Sequence, residues 1–394
     1  MINFREAQAL LQQHARSFGT EKVQLEDALG RVLSQKITAD RDYPPFNRSA
    51  MDGFAIRYDD FEKGIRRFEI AETIYAGSVN TKSLVSGQCY KIMTGAAVPA
   101  GADLVIRRED TEEAINVIQV LIENCRPFQN IALQGEDIKA GVDVISLACK
   151  CEPSSIGLLA SLGKSQVAVQ RLPQVALFTT GNEVVPVEVP VSPVQIRNSN
   201  RWVLQALLKK WGIVPSIYEH IPDDRQALRL SLHKAMKAEI IIISGGVSAG
   251  DADYVPQVLE ESGVKKIFHK VAIKPGKPLW CGFTPGGMVF ALPGNPFSCM
   301  VGFTLFIQPY LRSCFQLPDA CCFYLPIQFR RKKKTNLDEF FPVQIAGHPA
   351  MLQPVAINGS GDIRLGLHAQ AVALHPAESG DLPEGEILLC YSLI

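Results

Sequence analysis

The segment EIIIISGGVSAGDADY, from Glu239 to Tyr254, joins four consecutive isoleucines to a glycine-rich loop. A strand that is apolar at every position is typical of the centre of a parallel sheet, where helices cover both faces. Glycines directly after such a strand let the backbone approach a ligand closely. The segment therefore predicts an open parallel sheet with a binding loop at a strand end.

Strands and helices alternate on both sides of this segment, from residue 173 to residue 311, as they do in a doubly wound sheet. We expect strands at 174–179, 213–218, 239–243 and 288–292, and helices at 200–211, 224–237, 253–262 and 297–308. The uncharged stretch from Pro278 to Leu311 is interrupted by several prolines, so we interpret it as buried core and not as a membrane span.

The rest of the chain predicts a multidomain α/β protein with additional all-β domains. Residues 2–40 have helical spacing of apolar residues, with a second helical piece at 25–33, whereas residues 46–135 and the chain beyond Pro318 read as short strands between turns. We expect four domains. They are a discontinuous helical or linker domain (1–45 and 136–172), an inserted β domain (46–135), the mostly parallel α/β domain (173–315) and a C-terminal β domain (316–394).

Composition restricts the class of protein. The 394 residues are 47% hydrophobic, which favours a globular chain, and 40 basic residues balance 40 acidic ones, so no overall field attracts nucleic acid or a membrane. The N-terminal segment carries Arg5 and Glu6 and lacks the pattern of a secretory signal. Ten cysteines show no zinc spacing and are expected to be reduced thiols. We expect a cytoplasmic protein.

Three predicted strand ends carry unusual loops: TTGNE (179–183), SGGVSAGDADY (244–254) and LPGNP (292–296). Each loop read alone is equally well a tight turn. The carboxyl ends of parallel strands meet at one edge of a sheet, and helix N-termini there offer free N–H groups. Three such loops therefore favour a shared site for phosphate or another oxyanion.

Charged residues gather near the same edge. HKVAIKPGKP (269–278) places three lysines around a Pro-Gly turn, and these are candidate oxyanion contacts. The acid pairs Asp223/Asp224 and Asp251/Asp253 open two predicted helices, where the alternative role is N-capping. Carboxylates beside a phosphate site favour bound Mg²⁺.

Two other patterns are discounted. GLLASLGKS (157–165) resembles a phosphate-binding P-loop but has one residue too many between its glycines and follows no clear strand. The basic run from Arg330 to Lys334 has no aromatic platform or wider basic face, so we interpret it as a solvated strand end.

An ordered series of motifs begins at PPFNRSAMDGFAI (44–56). It continues with IMTGAAVPAGADLVIRRE, QGEDIKAG, TTGNEVV, IRNSN, IPDD, SGGVSAGDADYV, AIKPGKP and LPGNPFS. With these motifs the chain resembles the molybdopterin molybdenumtransferases, which include bacterial MoeA and the E domain of gephyrin and its plant counterpart. The resemblance implies a homodimer whose active site lies between the sheet domain of one subunit and a β domain of its partner. It also implies that the sheet domain is similar in fold to the molybdopterin adenylyltransferases.

The activity that the resemblance implies is a step of molybdenum cofactor biosynthesis. Molybdenum from molybdate is inserted into adenylylated molybdopterin, and AMP is released with Mg²⁺. The substrates are thus molybdate and adenylylated molybdopterin, and the implied protein partners are a molybdopterin adenylyltransferase and apo-molybdoenzymes.

Site residues follow from the matching motifs. Asp52 in SAMDG and Thr94 in MTGA would reach across the dimer, and Asp137 in GEDI is a further site position. The acids implied around the pyrophosphate and Mg²⁺ are Glu183, Asp223 and Asp253, and the lysines implied at molybdate and phosphate oxygens are Lys270, Lys274 and Lys277. The implied binding positions for nucleotide and pterin are Thr180, Gly181, Ser199, Asn200, Ser244, Gly245, Gly246, Val247, Ser248, Gly250, Pro275, Gly276, Pro278, Pro293, Gly294, Asn295 and Pro296.

The chain departs from the family pattern at three places. Asn182 replaces a common aspartate, an arginine is missing from the stretch before GED, and NLDEFFP (336–342) lacks the arginines of the last domain. Whether that domain makes the basic contribution to oxyanion binding that the family pattern implies is therefore left open. The departures keep open a second hypothesis, a catalytically weak paralogue that binds molybdopterin or finished cofactor or serves as a scaffold. A third, a transferase that adenylylates molybdopterin itself, would need only a single sheet domain.

Overall fold

A computed structural model describes residues 1–78, 82–247, 254–318 and 322–393. Its contacts divide the chain into two units. The first comprises Met1–Ser34, Ala148–Ile156 and Ser165–Ile394, and the second comprises Gln35–Leu147 and Gly157–Lys164. The finer division into four domains stays a prediction.

The first unit begins with helix α1 (Phe4–Gln13) and strand β1 (Thr20–Gln24). The Asn3 side chain caps α1 by accepting a 2.8 Å hydrogen bond from the Glu6 N–H. The expected helix at 25–33 is wrong, since only a 3₁₀ turn forms there, at Leu25–Asp27. The end of this segment instead forms antiparallel bridges with distant residues, Val32 with Lys150 and Leu33 with Val169, and these long-range contacts override the local helical spacing.

The second unit is rich in short strands, as expected for residues 46–135. Its elements are β2 (Ile37–Thr38), β3 (Arg48–Ser49), β4 (Gly53–Ile56), α2 (Tyr58–Glu62), β5 (Arg67–Ile74), β6 (Gln88–Ile92), β7 (Leu104–Arg107), β8 (Thr111–Ala114), β9 (Val117–Val120), β10 (Ile131–Ala132) and β11 (Asp143–Ile145). Six of these strands form one sheet in the order β7-β4-β6-β5-β9-β8. Phe54, Phe68 and Ile106 are buried in its core.

The chain then passes through α3 (Pro153–Ser161) and β12 (Gln166–Gln170) into the main sheet of the first unit. The elements that follow are β13 (Val175–Thr180), β14 (Val184–Val185), β15 (Ile196–Arg197), α4 (Ser199–Lys209), β16 (Ile217–Ile221), α5 (Arg225–Ala235), β17 (Ile240–Ser244), α6 (Val255–Glu261), β18 (Lys265–His269), β19 (Ile273–Lys274), β20 (Trp280–Phe283), β21 (Met288–Leu292), α7 (Pro296–Gly302) and α8 (Gln308–Cys314). The sheet order is β16-β13-β17-β21-β20-β18. Its first four strands are parallel, whereas β20 pairs antiparallel with both of its neighbours, β21 and β18.

Strand β17 is the apolar run of the opening segment, and it is covered on both faces. Ile240 and Ile242 pack into a core with α1, α4, α7 and α8, while Ile241 and Ile243 pack into a second core with α5 and α6. Each fully buried isoleucine contributes about 1.5–3 kcal/mol of transfer free energy. The doubly wound, mostly parallel sheet is therefore confirmed.

The C-terminal part of the first unit is a second sheet. Its strands are β22 (Cys322–Pro326), β23 (Asp338–Ala346), β24 (Met351–Pro354), β25 (Ala371–His375) and β26 (Ile387–Ser392). β19 joins this sheet by pairing in parallel with β23, so that Lys274 lies opposite Glu339. The Pro-Gly turn of the lysine segment is thus held against the C-terminal sheet.

Several boundaries differ from expectation. The strand expected at 213–218 is found at Ile217–Ile221, because Pro215 has no N–H to donate to β13. The antiparallel edge strands β18 and β20 were not expected. Trp280, Phe290 and Phe306 are buried, which confirms the core assignment of the uncharged stretch.

No helix within the described ranges is long and apolar enough to cross a membrane. The nine described cysteines are free thiols.

Candidate active site

A cleft of about 860 Å³ lies at the carboxyl ends of the parallel strands, where the loops after β13, β17 and β21 meet. Fifteen residues implied at the site line it: Thr180, Gly181, Glu183, Ser199, Asn200, Asp223, Ser244, Gly245, Gly246, Val247, Pro278, Pro293, Gly294, Asn295 and Pro296. Residues that are far apart in sequence are thus collected at one rim of the sheet.

The loops after β13 and β17 touch through their backbones. A Cβ on Gly245 would lie 2.5 Å from Thr180 Oγ1 and 3.0 Å from the Thr180 carbonyl oxygen, and Gly245 has φ +107°. No other residue fits this position without displacing Thr180. The Gly245 N–H also donates to the Leu292 carbonyl at 3.0 Å, which ties the loop to the end of β21.

Asn200, near the start of α4, joins two of the three loops. Its Nδ2 donates to Ser244 Oγ at 2.9 Å and to the Gly294 carbonyl at 2.6 Å. Because a carbonyl oxygen only accepts, Nδ2 must face Gly294 and Oδ1 faces away. The Asn200 amide therefore clamps the loops after β17 and β21 at a fixed separation.

Two carboxylates lie on the β13 side of the cleft. A Cβ on Gly181 would come within 2.8 Å of Glu183 Oε2, so the Glu183 carboxylate lies against the Gly181 backbone. Asp223 Oδ2 accepts from the Asn182 N–H at 3.1 Å, and the Asp223 N–H donates to Asn182 Oδ1 at 3.0 Å. Asp224 instead caps α5 by accepting from the Ala227 N–H at 2.7 Å, which confirms capping for one member of the pair.

Glu183 and Asp223 provide hard oxygen ligands of the kind that Mg²⁺ prefers, and Mg²⁺ commonly uses only one or two carboxylates plus phosphate oxygens and water. Within the described parts of the chain there is no group of three or more His, Cys, Asp or Glu side chains that could hold a metal. The donor set present fits a metal that is completed by the phosphates of a substrate. Three implied site residues, Ser248, Gly250 and Asp253, lie outside the described residues.

A second cavity of about 430 Å³ adjoins the cleft and shares Pro278, Pro293 and Asn295 with it. Lys274 and Lys277 line this cavity, together with Pro275 and Gly276 of the same turn. Lys270, the first lysine of the segment, lines neither the cleft nor this cavity. The Pro-Gly turn therefore presents two lysines beside the cleft.

The basic run before β23 also reaches the second cavity, through Arg331 and Lys334. Interpreting this run as a solvated strand end is wrong for Arg331 and Lys333, whereas Arg330, Lys332 and Lys334 are exposed as expected. The Arg331 side chain is only 17% exposed, and its Nη2 lies 2.8 Å from Glu339 Oε2. Lys333 Nζ donates to the Leu337 and His375 carbonyls. Arg331 and Lys333 turn inward because buried acceptors lie beside them, and Lys334 lines the second cavity while its residue stays exposed. This region therefore places basic side chains beside the second cavity.

Glu339 is the buried acid of the second cavity. Burial alone would raise its pKa, but the hydrogen bond from Thr335, the charge of Arg331 and the Lys334 N–H together hold the pKa below its usual value. Glu339 is therefore ionised and neutralises Arg331. Lys274, Lys277 and Lys334 then leave the cavity with excess positive charge, which suits a dianion such as a tetrahedral oxyanion.

The remaining implied residues lie in the second unit. Asp52 Oδ1 accepts hydrogen bonds from Thr94, both of them exposed side chains. These bonds lower the pKa of Asp52, the Thr94 N–H first and its hydroxyl second. Asp137 is exposed, and its N–H donates to the Tyr43 carbonyl at 3.1 Å.

Some lining residues were not among the implied site residues, although Thr179 belongs to the predicted loop TTGNE. Thr179, Arg197, Asn198, Gly361 and Ile363 line the cleft, and Arg331, Lys334, Glu339 and Ser360 line the second cavity. The motif IRNSN contains two of them, but nothing in the sequence marks the C-terminal segment as part of the site.

Comparison with known proteins gives two matches to family models. Residues 2–163 match the MoeA N-terminal region (domain I and II), and residues 176–313 match a probable molybdopterin binding domain.

Curated relatives are similar over most of the chain. A molybdopterin molybdenumtransferase of Staphylococcus epidermidis is 33% identical and covers 98% of this chain and 94% of its own. The protein of that name from Synechocystis is 30% identical over 92% of both chains. Among solved structures, the molybdopterin biosynthesis MoeA protein from Pyrococcus horikoshii OT3 has a TM-score of 0.85 at 29% identity, and each chain is covered completely.

The two transferases are thus similar to this chain in sequence over most of its length, and the solved structure is similar to it in overall fold. The chain belongs to the molybdopterin molybdenumtransferase (MoeA) family.

Proposed function

We propose that this enzyme transfers molybdenum from molybdate to adenylylated molybdopterin and releases AMP in a reaction that requires Mg²⁺. The observation that carries the proposal is the adjacency of two sites of different chemistry. A cleft with glycine loops and two carboxylates opens beside a smaller cavity with excess positive charge, and the two share three residues.

The cleft supports binding of an adenylylated pterin. Its volume suits a ligand of that size, and its glycines allow backbone N–H groups to approach a pyrophosphate. Asn200 holds two of the loops together, so that donors are fixed before the substrate arrives. Fixed donors stabilise charge that develops on transferring phosphorus oxygens without reorganisation during the reaction.

Glu183 and Asp223, with Asp253 as a third acid, would hold Mg²⁺ at the substrate pyrophosphate. When bound there, Mg²⁺ neutralises phosphate charge and assists the departure of AMP. The Asn182 N–H holds one oxygen of the Asp223 carboxylate. The Asp223 carboxylate thus enters the cleft in a set orientation.

The second cavity supports molybdate binding. Lys274 and Lys277 line it from the Pro-Gly turn, and Lys334 lines it from the C-terminal segment. The negative charge of Glu339 is neutralised by its ion pair with Arg331. A dianion held there is next to the cleft, where the dithiolene of molybdopterin would receive the metal. Holding both substrates side by side removes much of the entropic barrier to their reaction.

The family resemblance supports the rest of the assignment. We propose a homodimer in which Asp52 and Thr94 of one subunit complete the site of the other, with Asp137 as a further site residue. Lys270, which lines neither the cleft nor the second cavity, is not assigned a ligand contact. A molybdopterin adenylyltransferase would supply the substrate, and apo-molybdoenzymes would accept the product.

The test is AMP release from adenylylated molybdopterin, measured with and without molybdate and with and without Mg²⁺. We expect release only when both are present. A folded dimer that releases no AMP under any of these conditions would refute the transferase assignment.

The same measurement separates the alternatives. A protein that binds molybdopterin but cleaves no nucleotide is the binding or scaffold protein, which the missing family arginines favour. The retained carboxylates of the cleft and the cations of the second cavity favour the transferase. Consumption of ATP with unmodified molybdopterin would identify an adenylylating enzyme instead.

A further inference from the structure

A directed chain of hydrogen bonds runs from the start of α4 to the loop that carries Glu183. Asn198 Oδ1 accepts from the Arg201 N–H at 3.1 Å, so Asn198 Nδ2 is the atom that donates to Thr179 Oγ1 at 2.7 Å. Thr179 Oγ1 is 3.0 Å from His220 Nδ1, and His220 Nε2 is 3.1 Å from the Gly181 carbonyl oxygen. This series of hydrogen bonds therefore connects α4, β13 and β16.

The partners of His220 assign its tautomer. The Gly181 carbonyl can only accept, so Nε2 carries the proton, and Nδ1 of the neutral ring then accepts from the Thr179 hydroxyl. The Thr179 oxygen is free to accept from Asn198 at the same time. Every hydrogen-bond donor in this series thus points the same way, towards Gly181.

His220 and Asp223 hold opposite ends of a single peptide group. The Gly181 carbonyl oxygen accepts from His220, and the N–H of the same peptide, on Asn182, donates to Asp223 Oδ2 at 3.1 Å. Gly181 has φ +130°, a conformation from which a glycine peptide rotates readily. Rotation of this peptide would turn a carbonyl towards the Asp223 carboxylate and displace Glu183, which lies against Gly181.

We propose that His220 is a positioning residue that orients the Gly181–Asn182 peptide and, through it, the Glu183 and Asp223 carboxylates towards Mg²⁺. His220 does not line the cleft, so it acts through Gly181 and not by contact with substrate. The inference rests on the proposed function for its reaction, but its geometry belongs to the ligand-free protein. Partners behind metal ligands commonly change metal affinity or activity by about 10–100-fold when they are removed.

Two substitutions separate positioning from simple packing. His220→Asn leaves an amide near Thr179 that is too short to reach Gly181, whereas His220→Gln extends one atom further and can still donate to the carbonyl. We expect His220→Asn to raise the Mg²⁺ concentration for half-maximal AMP release by about tenfold or more, with the KM for adenylylated molybdopterin nearly unchanged. His220→Gln should restore most of the loss. His233→Asn, on the exposed face of α5, is the matched control.

Two measurements do not depend on turnover. Long-range ¹H–¹⁵N spectra of the ligand-free protein should show His220 protonated at Nε2, and Thr179→Val should weaken that preference. Calorimetry of Mg²⁺ binding to the protein saturated with AMP should show the same order, with wild type and His220→Gln tighter than His220→Asn.

The outcomes are distinct. If wild type releases no AMP, the proposed function fails while the spectra and the calorimetry still decide the role of His220. A proton on Nδ1 in wild type, no Mg²⁺ binding, or equal Mg²⁺ affinity in His220→Asn and wild type would each overturn the proposal. A folded His220→Gln that is no better than His220→Asn would also overturn it.

Discussion

Asp52 accepts two hydrogen bonds from Thr94 through one oxygen, Oδ1, at 2.7 Å from the Thr94 backbone N–H and 2.8 Å from its hydroxyl. The second oxygen, Oδ2, is left for other contacts, and the pair is exposed on the second unit. The contact has two structural consequences. It stabilises a turn, and it also keeps an ionised carboxylate in a fixed orientation.

Thr94→Val should raise the pKa of Asp52 towards its ordinary value, because the hydroxyl bond is lost while the backbone bond remains. Thr94→Ser keeps the hydroxyl and should leave the pKa low. Carboxyl ¹³C titration of Asp52 checks both variants. Identical titration of wild type, Thr94→Val and Thr94→Ser would show that the hydroxyl has no influence on the charge.

Mixing two inactive variants tests the shared site. In a heterodimer of Asp52→Asn and Asp223→Asn subunits, a site built across the dimer has one copy with both acids intact. Random exchange of subunits should therefore restore about a quarter of wild-type AMP release. Each variant alone, refolded in the same way, is the control. No recovery in the mixture would mean that the two acids act within one subunit or do not act together.

Lys334→Ala should weaken molybdate binding, because one cation is removed from the second cavity. A hydrogen bond to a charged ligand contributes about 1.5 kcal/mol or more, so the KM for molybdate should rise about tenfold with little change for the pterin substrate. Lys332→Ala is the matched control, since Lys332 is exposed and lines neither the cleft nor this cavity. Equal effects of the two variants would remove Lys334 from the site.

Glu339→Gln should destabilise the protein by about 1–3 kcal/mol at neutral pH, because it leaves the half-buried Arg331 without its counter-charge. The folded pKa of Glu339 is lowered, so its stabilisation is complete above the unfolded pKa and is lost as the pH falls through the folded pKa. The difference from wild type should therefore shrink on acidification.

Urea unfolding at neutral pH and at successively lower pH measures the effect of this substitution. Glu386→Gln, at an exposed position, is the control. A difference between Glu339→Gln and wild type that stays constant with pH would contradict the ion-pair explanation.

Gly245→Ala should abolish AMP release and lower stability by about 1–3 kcal/mol, since its Cβ would collide with Thr180 in a backbone conformation that favours glycine. Gly380→Ala, whose Cβ would meet nothing within 4 Å, should leave activity and stability unchanged. Thermal unfolding and AMP release measure both variants. Full activity in Gly245→Ala would show that the two loops need not touch.

Local patterns were reliable where one physical constraint dominated. The isoleucine run predicted a central strand, and β17 is buried on both faces because its four isoleucines, Ile240 to Ile243, pack into the cores on the two sides of the sheet. The same reasoning failed at residues 25–33, where apolar spacing fitted a helix but Val32 and Leu33 form bridges with Lys150 and Val169. Spacing describes one segment, whereas strand pairing depends on a partner far along the chain.

The residue types that line the cleft at the strand ends could be predicted from the amino-acid sequence. Glycines, acids and lysines follow predicted strands, and parallel strands bring such ends to one edge, so Glu183, Asp223, Ser244 and Gly294 could be assigned to one cleft. These inferences needed only residue type and position along a strand.

Folding alone brought Lys334 and Arg331 into the cavity of Lys274, and His220 to the carbonyl of Gly181. A charge run looks the same in sequence whether it faces water or a buried glutamate, and a lone histidine shows no partner. Such contacts arise from pairing between distant strands, β19 with β23 and β13 with β16, whose register is decided by the packing of the complete core.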